Sequence, residues 1–267
     1  MPFVKTHLPC NDCGSSDGLS VNDDGWTHCF VCEERKPPEG EYSPTYEDVI
    51  LEAKQLDTVH EIYLTIIERG ISSDTAKAYK CAKDGQMYHF NYTDSQGNII
   101  AYKTRTADKN FRINGDWKNA VLYGQNLFSK GGKYVTIVEG EFDAMAAYQM
   151  LGSKYPVISI RNGAASAVKD IRQHYEWIDS FENVVLCFDG DEAGQKAASQ
   201  VAELLGSKAK VFRHLDGMKD ASDYLQTKRN KEFVDKWWAS EQHVPDGIVA
   251  GNTLYDEGMR PVAPADV

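Results

Sequence analysis

The chain has 267 residues, 42% of them hydrophobic, and a formal net charge of −11. This composition supports a sizeable core in two or three compact units, and no apolar run approaches the roughly 20 residues of a membrane span. The negative charge disfavours a simple electrostatic nucleic-acid binder, which would carry a basic face. Any polyanionic partner must therefore be met by local basic patches or by bound cations.

The N-terminal sequence MPFVKTHLPC lacks the apolar core of a signal peptide, which favours a cytoplasmic location. In that reducing compartment, metal ligation is the more common role of clustered cysteines than disulfide formation. Cys10, Cys13, Cys29 and Cys32 follow the spacing C-x2-C-x15-C-x2-C. Four thiolates brought together across a hairpin predict one closed, structural zinc site. We therefore expect a zinc-dependent β ribbon over residues 1–36.

The surface of this predicted ribbon is acidic, with three basic against six acidic residues through Lys36, a net −3. Such a surface disfavours a phosphate clamp. If the ribbon contacts nucleic acid, we expect it to contact bases, with Trp26, His28 and Phe30 as candidate stacking or edge-contacting groups. The alternative is that Trp26 and Phe30 only form the small core of the ribbon. The two other cysteines, Cys81 and Cys187, are expected to be buried thiols.

A segment rich in Pro, Gly and Glu, residues 37–47, predicts an exposed linker. Residues 48–130 then predict a mixed α+β subdomain. Helical patterns occur in DVILEAKQL and in EIYLTIIERG, the latter ending at the helix-stop residue Gly70. Alternating residues from Met87 onward, interrupted by the turn residues 94–98, predict a β-hairpin.

A basic segment, residues 101–118, belongs to this subdomain and carries five basic against two acidic residues, a net +3. Lys103 and Arg105 are two residues apart and would share one face of a strand. They are candidates for binding a triphosphate or a template backbone. The alternative is a solvated surface strand.

Short apolar strands alternate with helices over residues 131–243, which predicts an α/β domain built on a parallel sheet. In such sheets, ligands bind at the carboxyl ends of the strands. The RNGAAS segment follows one of these strands, and Asn162 and Gly163 could offer backbone donors to a phosphate. The remaining residues, 244–267, are acidic and punctuated by Gly and Pro, and we expect them to form a mobile tail.

Carboxylates follow three of the four predicted strands. Glu139 ends the first strand, and Asp189 and Asp191 follow the third in the sequence CFDGDEAG. Residues two apart on an extended chain point the same way, so this pair can converge on one divalent cation that removes their repulsion. Glu141 and Asp143 begin the helix after the first strand, and Asp220 and Asp223 follow the fourth; for Glu141 and Asp223, helix capping is the competing interpretation.

The segments VEGEFDA and FDGDEAG resemble the two acidic motifs of the Toprim fold. With the four-cysteine ribbon before them, KTRTADKNF between and MKDASD after, the order is similar to the primase half of the bifunctional primase–helicases of short-tailed, T-odd phages. The resemblance implies a template-dependent RNA polymerase that makes short primers. It implies that Glu139 is a general base or metal ligand, that Asp189 and Asp191 hold catalytic magnesium, and that Asp143 and Asp220 support them. The chemistry of joining nucleotides leads us to expect two Mg²⁺ ions.

The resemblance also implies nucleotide-binding roles for Lys103, Arg105 and Lys109. The partners that it implies are a single-stranded DNA template, ribonucleoside triphosphates, a replicative helicase and a DNA polymerase that receives the primer. No G-x4-GK[ST] motif occurs in the sequence, so we expect this chain to lack the helicase motor. Whether the chain is a fragment of a primase–helicase or a stand-alone primase with a separate helicase stays open. Two alternatives stay open: a Toprim nuclease, which could use the same acids, and a non-catalytic DNA-repair mediator that pairs a zinc site with a Toprim domain.

Overall fold

The computed structural model describes residues 3–23, 25–32, 34–36, 60–106, 108 and 110–244. The chain divides into two compact units, residues 1–55 and 56–267. The finer predicted boundaries, at residues 36, 47, 130 and 243, stay predictions. The predicted linker 37–47, the DVILEAKQL helix, Lys109 and the tail beyond Val244 lie outside the described residues. Among those that are described, no helix is long and apolar enough to cross a bilayer.

The first unit contains a four-stranded antiparallel sheet in the order β1-β2-β3-β4. Its strands are β1 (Phe3–Leu8), β2 (Leu19–Asn22), β3 (Thr27–Cys29) and β4 (Arg35–Lys36). The predicted β ribbon is therefore confirmed as an architecture. Cys10 and Cys29 are its buried hydrophobic residues among those described. So small a core cannot hold a sheet together by apolar burial alone, so the four cysteines must contribute to its stability.

The second unit begins with an antiparallel sheet in the order β5-β6-β7-β8. Its strands are β5 (Cys81–Asp84), β6 (Met87–Thr93), β7 (Ile99–Arg105) and β8 (Phe111–Gly115), preceded by helix α1 (Ser73–Ala78). Asp94 closes the β6–β7 turn, because its carboxylate accepts hydrogen bonds from the backbone N–H groups of Gln96 and Asn98, each at 2.9 Å. The predicted hairpin is confirmed.

The helix predicted over EIYLTIIERG is wrong. The structure has one 3-10 turn at Ile67–Arg69, which Gly70 closes at φ 68°, and Ile66 pairs with Ile71 in an antiparallel bridge. Both bridge residues are fully buried. The β-branched residues of this segment have a low helix propensity, and burial of the two isoleucines on either side of a tight turn outweighs the helical spacing.

The remainder of the second unit is a five-stranded sheet in the order β10-β9-β11-β12-β13. Its strands are β9 (Gly132–Val138), β10 (Val157–Ser159), β11 (Phe181–Leu186), β12 (Ala209–Val211) and β13 (Glu241–Gln242). The first four are parallel, as predicted. The short antiparallel edge strand β13 was not predicted, because two residues carry no readable alternation.

Helices cover both faces of this sheet. They are α2 (Glu141–Met150), α3 (Ala167–Gln173), α4 (Tyr175–Ile178), α5 (Glu192–Leu205), α6 (Ala221–Gln226) and α7 (Asn230–Trp238). The hydrophobic cluster around α2, α6 and α7 continues into the β5–β8 sheet, whereas a second cluster packs α3, α4 and α5 on the opposite face. The shared cluster fixes the basic strand β7 beside the parallel sheet.

A buried ion pair joins the two sheets of the second unit. The Arg161 guanidinium donates to the Asp170 carboxylate at 2.9 and 3.2 Å and to the carbonyl oxygens of Trp117 and Ala120, which follow β8. Arg161 and Asp170 are 5% and 1% exposed, so neither charge can be solvated by water if its partner is lost.

We expect Asp170→Ala to reduce the free energy of unfolding by about 3–5 kcal/mol, because it leaves the Arg161 guanidinium buried without its counter-charge. Asp235→Ala is the matched control: it removes the partner of Lys231 in an exposed pair, and its expected cost is small because water screens both charges. Urea unfolding at pH 7 measures both. Equal losses in the two variants would contradict the role of the buried pair.

His174 lies between α3 and α4, and its buried Nε2 has no hydrogen-bond partner in the described structure. Burial, and then the charge of Arg161, lower the pKa of His174 to about 4. The unfolded chain therefore binds the proton first, near pH 6.5. We expect the stability contributed by neutral His174 to be complete above pH 6.5 and to be lost as the pH falls towards 4. Between pH 7 and 4, the free energy of unfolding of His174→Gln should fall less than that of the parent chain. An equal fall in the two proteins would refute this.

Candidate functional site

The four cysteines of the first unit have the geometry of a zinc site. Their sulfur atoms all lie within 4.8 Å of one another. Cys10 Sγ is 3.8 Å from Cys32 Sγ, and Cys13 Sγ is 3.7 Å from Cys29 Sγ. A tetrahedral site with Zn–S bonds of about 2.3 Å has sulfur atoms about 3.8 Å apart, whereas a disulfide would bring them to about 2 Å. The cluster therefore fits zinc.

The aromatic candidates of the ribbon are placed at its surface. Phe30 is 60% exposed and Trp26 is 37% exposed. His28, on β3, packs edge-to-face against Phe30 with ring centroids 4.5 Å apart. The interpretation of Phe30 as a core residue is therefore disfavoured. Base contact by Trp26 and His28 stays a prediction.

Three carboxylates converge at the carboxyl edge of the parallel sheet. Asp143 lies in the first turn of α2, Asp189 follows β11, and Asp220 is the N-cap of α6; each offers an oxygen within 4.8 Å of the others. Burial and then the charge of Asp220 raise the pKa of Asp143, and burial also raises that of Asp220. We call these three residues the acidic triad. It suggests a divalent-metal site, because a bound cation would offset this repulsion.

Glu139 contacts the acidic triad through the backbone of Asp189. Its Oε1 accepts the Asp189 N–H at 2.9 Å, and burial and then the charge of Asp189 raise its pKa. Gly194 leaves room for this contact: a Cβ there would lie 2.5 Å from Glu139 Oε1 and 2.3 Å from the Asp189 carbonyl oxygen. Any side chain at this position would push the two acids apart.

Asp191 has a different environment from the triad. Its Oδ1 accepts the Gly194 N–H at 3.0 Å as the N-cap of α5, which, with the nearby Lys219 ammonium, lowers its pKa. Lys219 Nζ lies 3.2 Å from Asp189 Oδ2 and 3.4 Å from Asp191 Oδ2. The two aspartates both contact this ammonium group. Their predicted convergence on a divalent cation stays a prediction. Lys219 was not predicted as a site residue, because one lysine in a loop is not distinctive.

Glu141 does not belong to the acidic triad. It is 6% exposed, and its Oε1 accepts from Lys103 Nζ at 2.6 Å and from the Tyr92 hydroxyl at 2.7 Å. Lys103 Nζ also donates to the Arg161 carbonyl oxygen at 2.8 Å. Glu141 therefore holds the basic strand β7 against α2, which is neither the ligand role nor simple helix capping.

Arg105 lies on the same face of β7 as Lys103, as the spacing predicts; both cations approach the Phe111 ring, at 5.7 and 5.3 Å. Arg105 also lies 5.2 Å from the ring of Phe142, and Arg69 lies 4.7 Å from the same ring. Arg69 was missed, because its segment was predicted to be a helix. The proximity of Arg69 adds to burial in lowering the pKa of Arg105, so this face concentrates positive charge.

The RNGAAS loop, residues 161–166, lies next to Glu139. Gly163 adopts a φ of 76°, and Asn162 is exposed. The backbone N–H of the next residue, Ala164, interacts with the Glu139 carboxylate. The loop thus borders the predicted metal site, although phosphate binding by Asn162 and Gly163 stays a prediction.

The comparisons with known proteins agree with this geometry. The Toprim-like family matches residues 136–225, which contain the whole acidic triad. The crystal structure of the primase fragment of the bacteriophage T7 primase–helicase is 32% identical, with a TM-score of 0.61, over 89% of this chain and 100% of that one. The chain belongs to the phage primase–helicase family, in its primase portion.

Two further relatives of this primase family are similar over most of the chain. The DNA helicase/primase of Enterobacteria phage T3 is 36% identical over 94% of this chain, which spans 46% of the T3 protein. The T7 primase domains, solved with the T7 lagging-strand DNA polymerase and an RNA/DNA hybrid, are 34% identical with a TM-score of 0.61, over 68% of this chain and 93% of theirs. The chain thus spans about half the length of the curated relative.

Proposed function

We propose that the chain is a DNA primase, a template-dependent RNA polymerase that makes short oligoribonucleotides on single-stranded DNA. The observation that carries this proposal is the acidic triad at the carboxyl edge of the sheet, in a chain of the primase family whose other unit has a four-cysteine site. The substrates are ribonucleoside triphosphates. A replicative helicase, fused or separate, and a DNA polymerase are the proposed partners, since the T3 relative combines helicase with primase and the T7 domains were solved with a polymerase.

The proposed metal ligands are Asp143, Asp189 and Asp220, with Asp191 and Glu139 at the margin of the site. Two Mg²⁺ ions, when bound, would activate the 3′-hydroxyl, neutralise the α-phosphate and stabilise the leaving pyrophosphate. Glu139 already receives the Asp189 N–H, so it positions that ligand. Its raised pKa also suits it to accept the proton of the attacking hydroxyl.

The basic face of β7 is proposed to bind phosphates. Arg105, together with Arg69, is available for the triphosphate or the template backbone, whereas Lys103 is held by Glu141 and the Arg161 carbonyl oxygen. Lys103 would contact a phosphate only by exchanging one of these partners. Lys109 is also proposed to bind phosphates, because it lies in the KTRTADKNF motif.

The ribbon is proposed to hold one structural zinc ion and to select the template through bases, because its net charge of −3 gives it little affinity for phosphates. Trp26 and His28 are the proposed base-contacting side chains. Since such contacts are weak alone, template binding should require both units together.

The test is an incubation with single-stranded DNA, the four ribonucleotides and Mg²⁺. Short labelled oligoribonucleotides that depend on the template are the expected product. Cut DNA without oligoribonucleotides would instead favour a Toprim nuclease, and binding without either product would favour a repair mediator.

A further inference from the structure

Lys219 is the ammonium group in contact with the acids of the proposed site. In the ion pairs among the described residues, it is the basic partner of both Asp189 and Asp191, at 3.2 and 3.4 Å. Its own backbone is fixed: the Lys219 carbonyl oxygen accepts the Gly190 N–H at 2.7 Å, and the Lys219 N–H donates to Asp223 at 2.8 Å. The loop thus holds the base of the side chain while the ammonium group lies over the two carboxylates.

The contact is one that a second cation can displace. The Lys219 side chain is 57% exposed and that of Asp191 is 51% exposed, so water competes for both charges, whereas that of Asp189 is 20% exposed. Exposed ion pairs of this kind contribute little to stability. A divalent cation carries twice the charge of an ammonium group and takes about six oxygen ligands, whereas an ammonium group has only three N–H donors.

The Asp189 oxygen atoms connect the two arrangements. Asp189 belongs to the acidic triad with Asp143 and Asp220, yet its Oδ2 also lies 3.2 Å from Lys219 Nζ. A cation held by the triad and the ammonium group of Lys219 would therefore compete for the same carboxylate.

We propose that Lys219 is an exchangeable counter-ion: it neutralises Asp189 and Asp191 in the metal-free protein and is displaced when a divalent cation binds. This inference rests on the proposed function for the identity of the metal site. Because Lys219 acts on the metal only through Asp189 and Asp191, it is a positioning residue and not a catalytic one. The exchange sets the concentration of free metal at which the site fills, because the cation must displace the ammonium group.

The test is the affinity of the zinc-loaded full chain for Mn²⁺ alone, measured by electron paramagnetic resonance at low ionic strength. Lys219→Met is expected to lower the Kd for Mn²⁺ about fivefold, since the ammonium group no longer competes for Asp189 and Asp191. Lys219→Arg, which keeps the charge, should stay near the parent value. The matched control is Lys196→Met, an exposed lysine on α5, which should change the Kd less than twofold.

A second measurement separates competition from damage to the fold. The rise in Tm caused by saturating Mn²⁺ should be larger in Lys219→Met than in the parent chain, because the tighter complex stabilises the folded state more. The difference in Kd should also shrink as salt is raised. An unchanged or higher Kd in Lys219→Met overturns the inference alone. Failure of the parent chain and of every variant to bind Mn²⁺ would overturn the proposed metal site, and with it the proposed function.

Discussion

Asp189→Asn is expected to reduce primer synthesis on single-stranded DNA roughly a thousandfold, or about 4 kcal/mol in the activation barrier. Asparagine preserves the shape of the side chain but removes the charge that Asp189 shares with Asp143 and Asp220. Without that charge, the remaining pair of carboxylates binds hard cations weakly. The measurement is the yield of labelled oligoribonucleotides at saturating Mg²⁺ and ribonucleotides.

The control for this prediction is Asp216→Asn, which removes the same charge from an exposed position in the loop after β12. It should retain nearly full synthesis. The Tm of metal-free Asp189→Asn should change little, because relief of repulsion within the triad offsets the loss of the weak ion pair with Lys219. A variant that loses activity only because it unfolds, or one that keeps synthesis, would contradict the role of Asp189.

The second large effect is expected from removal of the zinc ligands. A Cys29→Ser, Cys32→Ser chain should lose its bound zinc and the fold of the ribbon, since structural zinc contributes about 10–16 kcal/mol to such small modules. Initiation on a template should disappear, whereas extension of a supplied dinucleotide should continue, because the acidic triad and the basic face lie in the other unit. Zinc content and the two synthesis assays, run on the same preparations, measure this outcome.

Cys81→Ala is the matched control, since Cys81 is a fully buried thiol of the second unit and lies outside the cysteine cluster. It should retain one zinc ion per chain and should still initiate. Loss of both initiation and extension in the double serine variant would show that the ribbon is needed for catalysis itself, contrary to the proposed division of labour.

The architecture was largely predictable, because the patterns that specify it are local. The alternation in β6 and β7, the turn residues from Asp94 to Asn98 and the repeated strand–helix units each carry a strong periodic signal. The helix prediction for the segment around Ile66 failed because the structure there is not decided locally. The spacing of this segment is helical, but Ile66 and Ile71 are buried in a hydrophobic cluster with residues far along the chain, such as Leu225, which periodicity does not report.

The acids of the site were predictable as a group, because strand ends in a parallel sheet share one edge. Their individual partners were not. Whether an acid in the first turn of α2 meets a cation, a lysine or a backbone N–H depends on side-chain direction and on packing against another sheet. Glu141 and Asp143 are two residues apart, yet one holds Lys103 and the other joins the acidic triad.

Because Glu141 and Asp143 have different partners, the start of α2 should be more sensitive to insertions and deletions than to substitutions. Each residue turns a helix by about 100°, so a single insertion or deletion between β9 and α2 would rotate both carboxylates at once. Glu141 would leave Lys103, and Asp143 would leave the other two acids. Diversification at this junction should therefore proceed by substitution, with insertions and deletions confined to the loops on the opposite edge of the sheet.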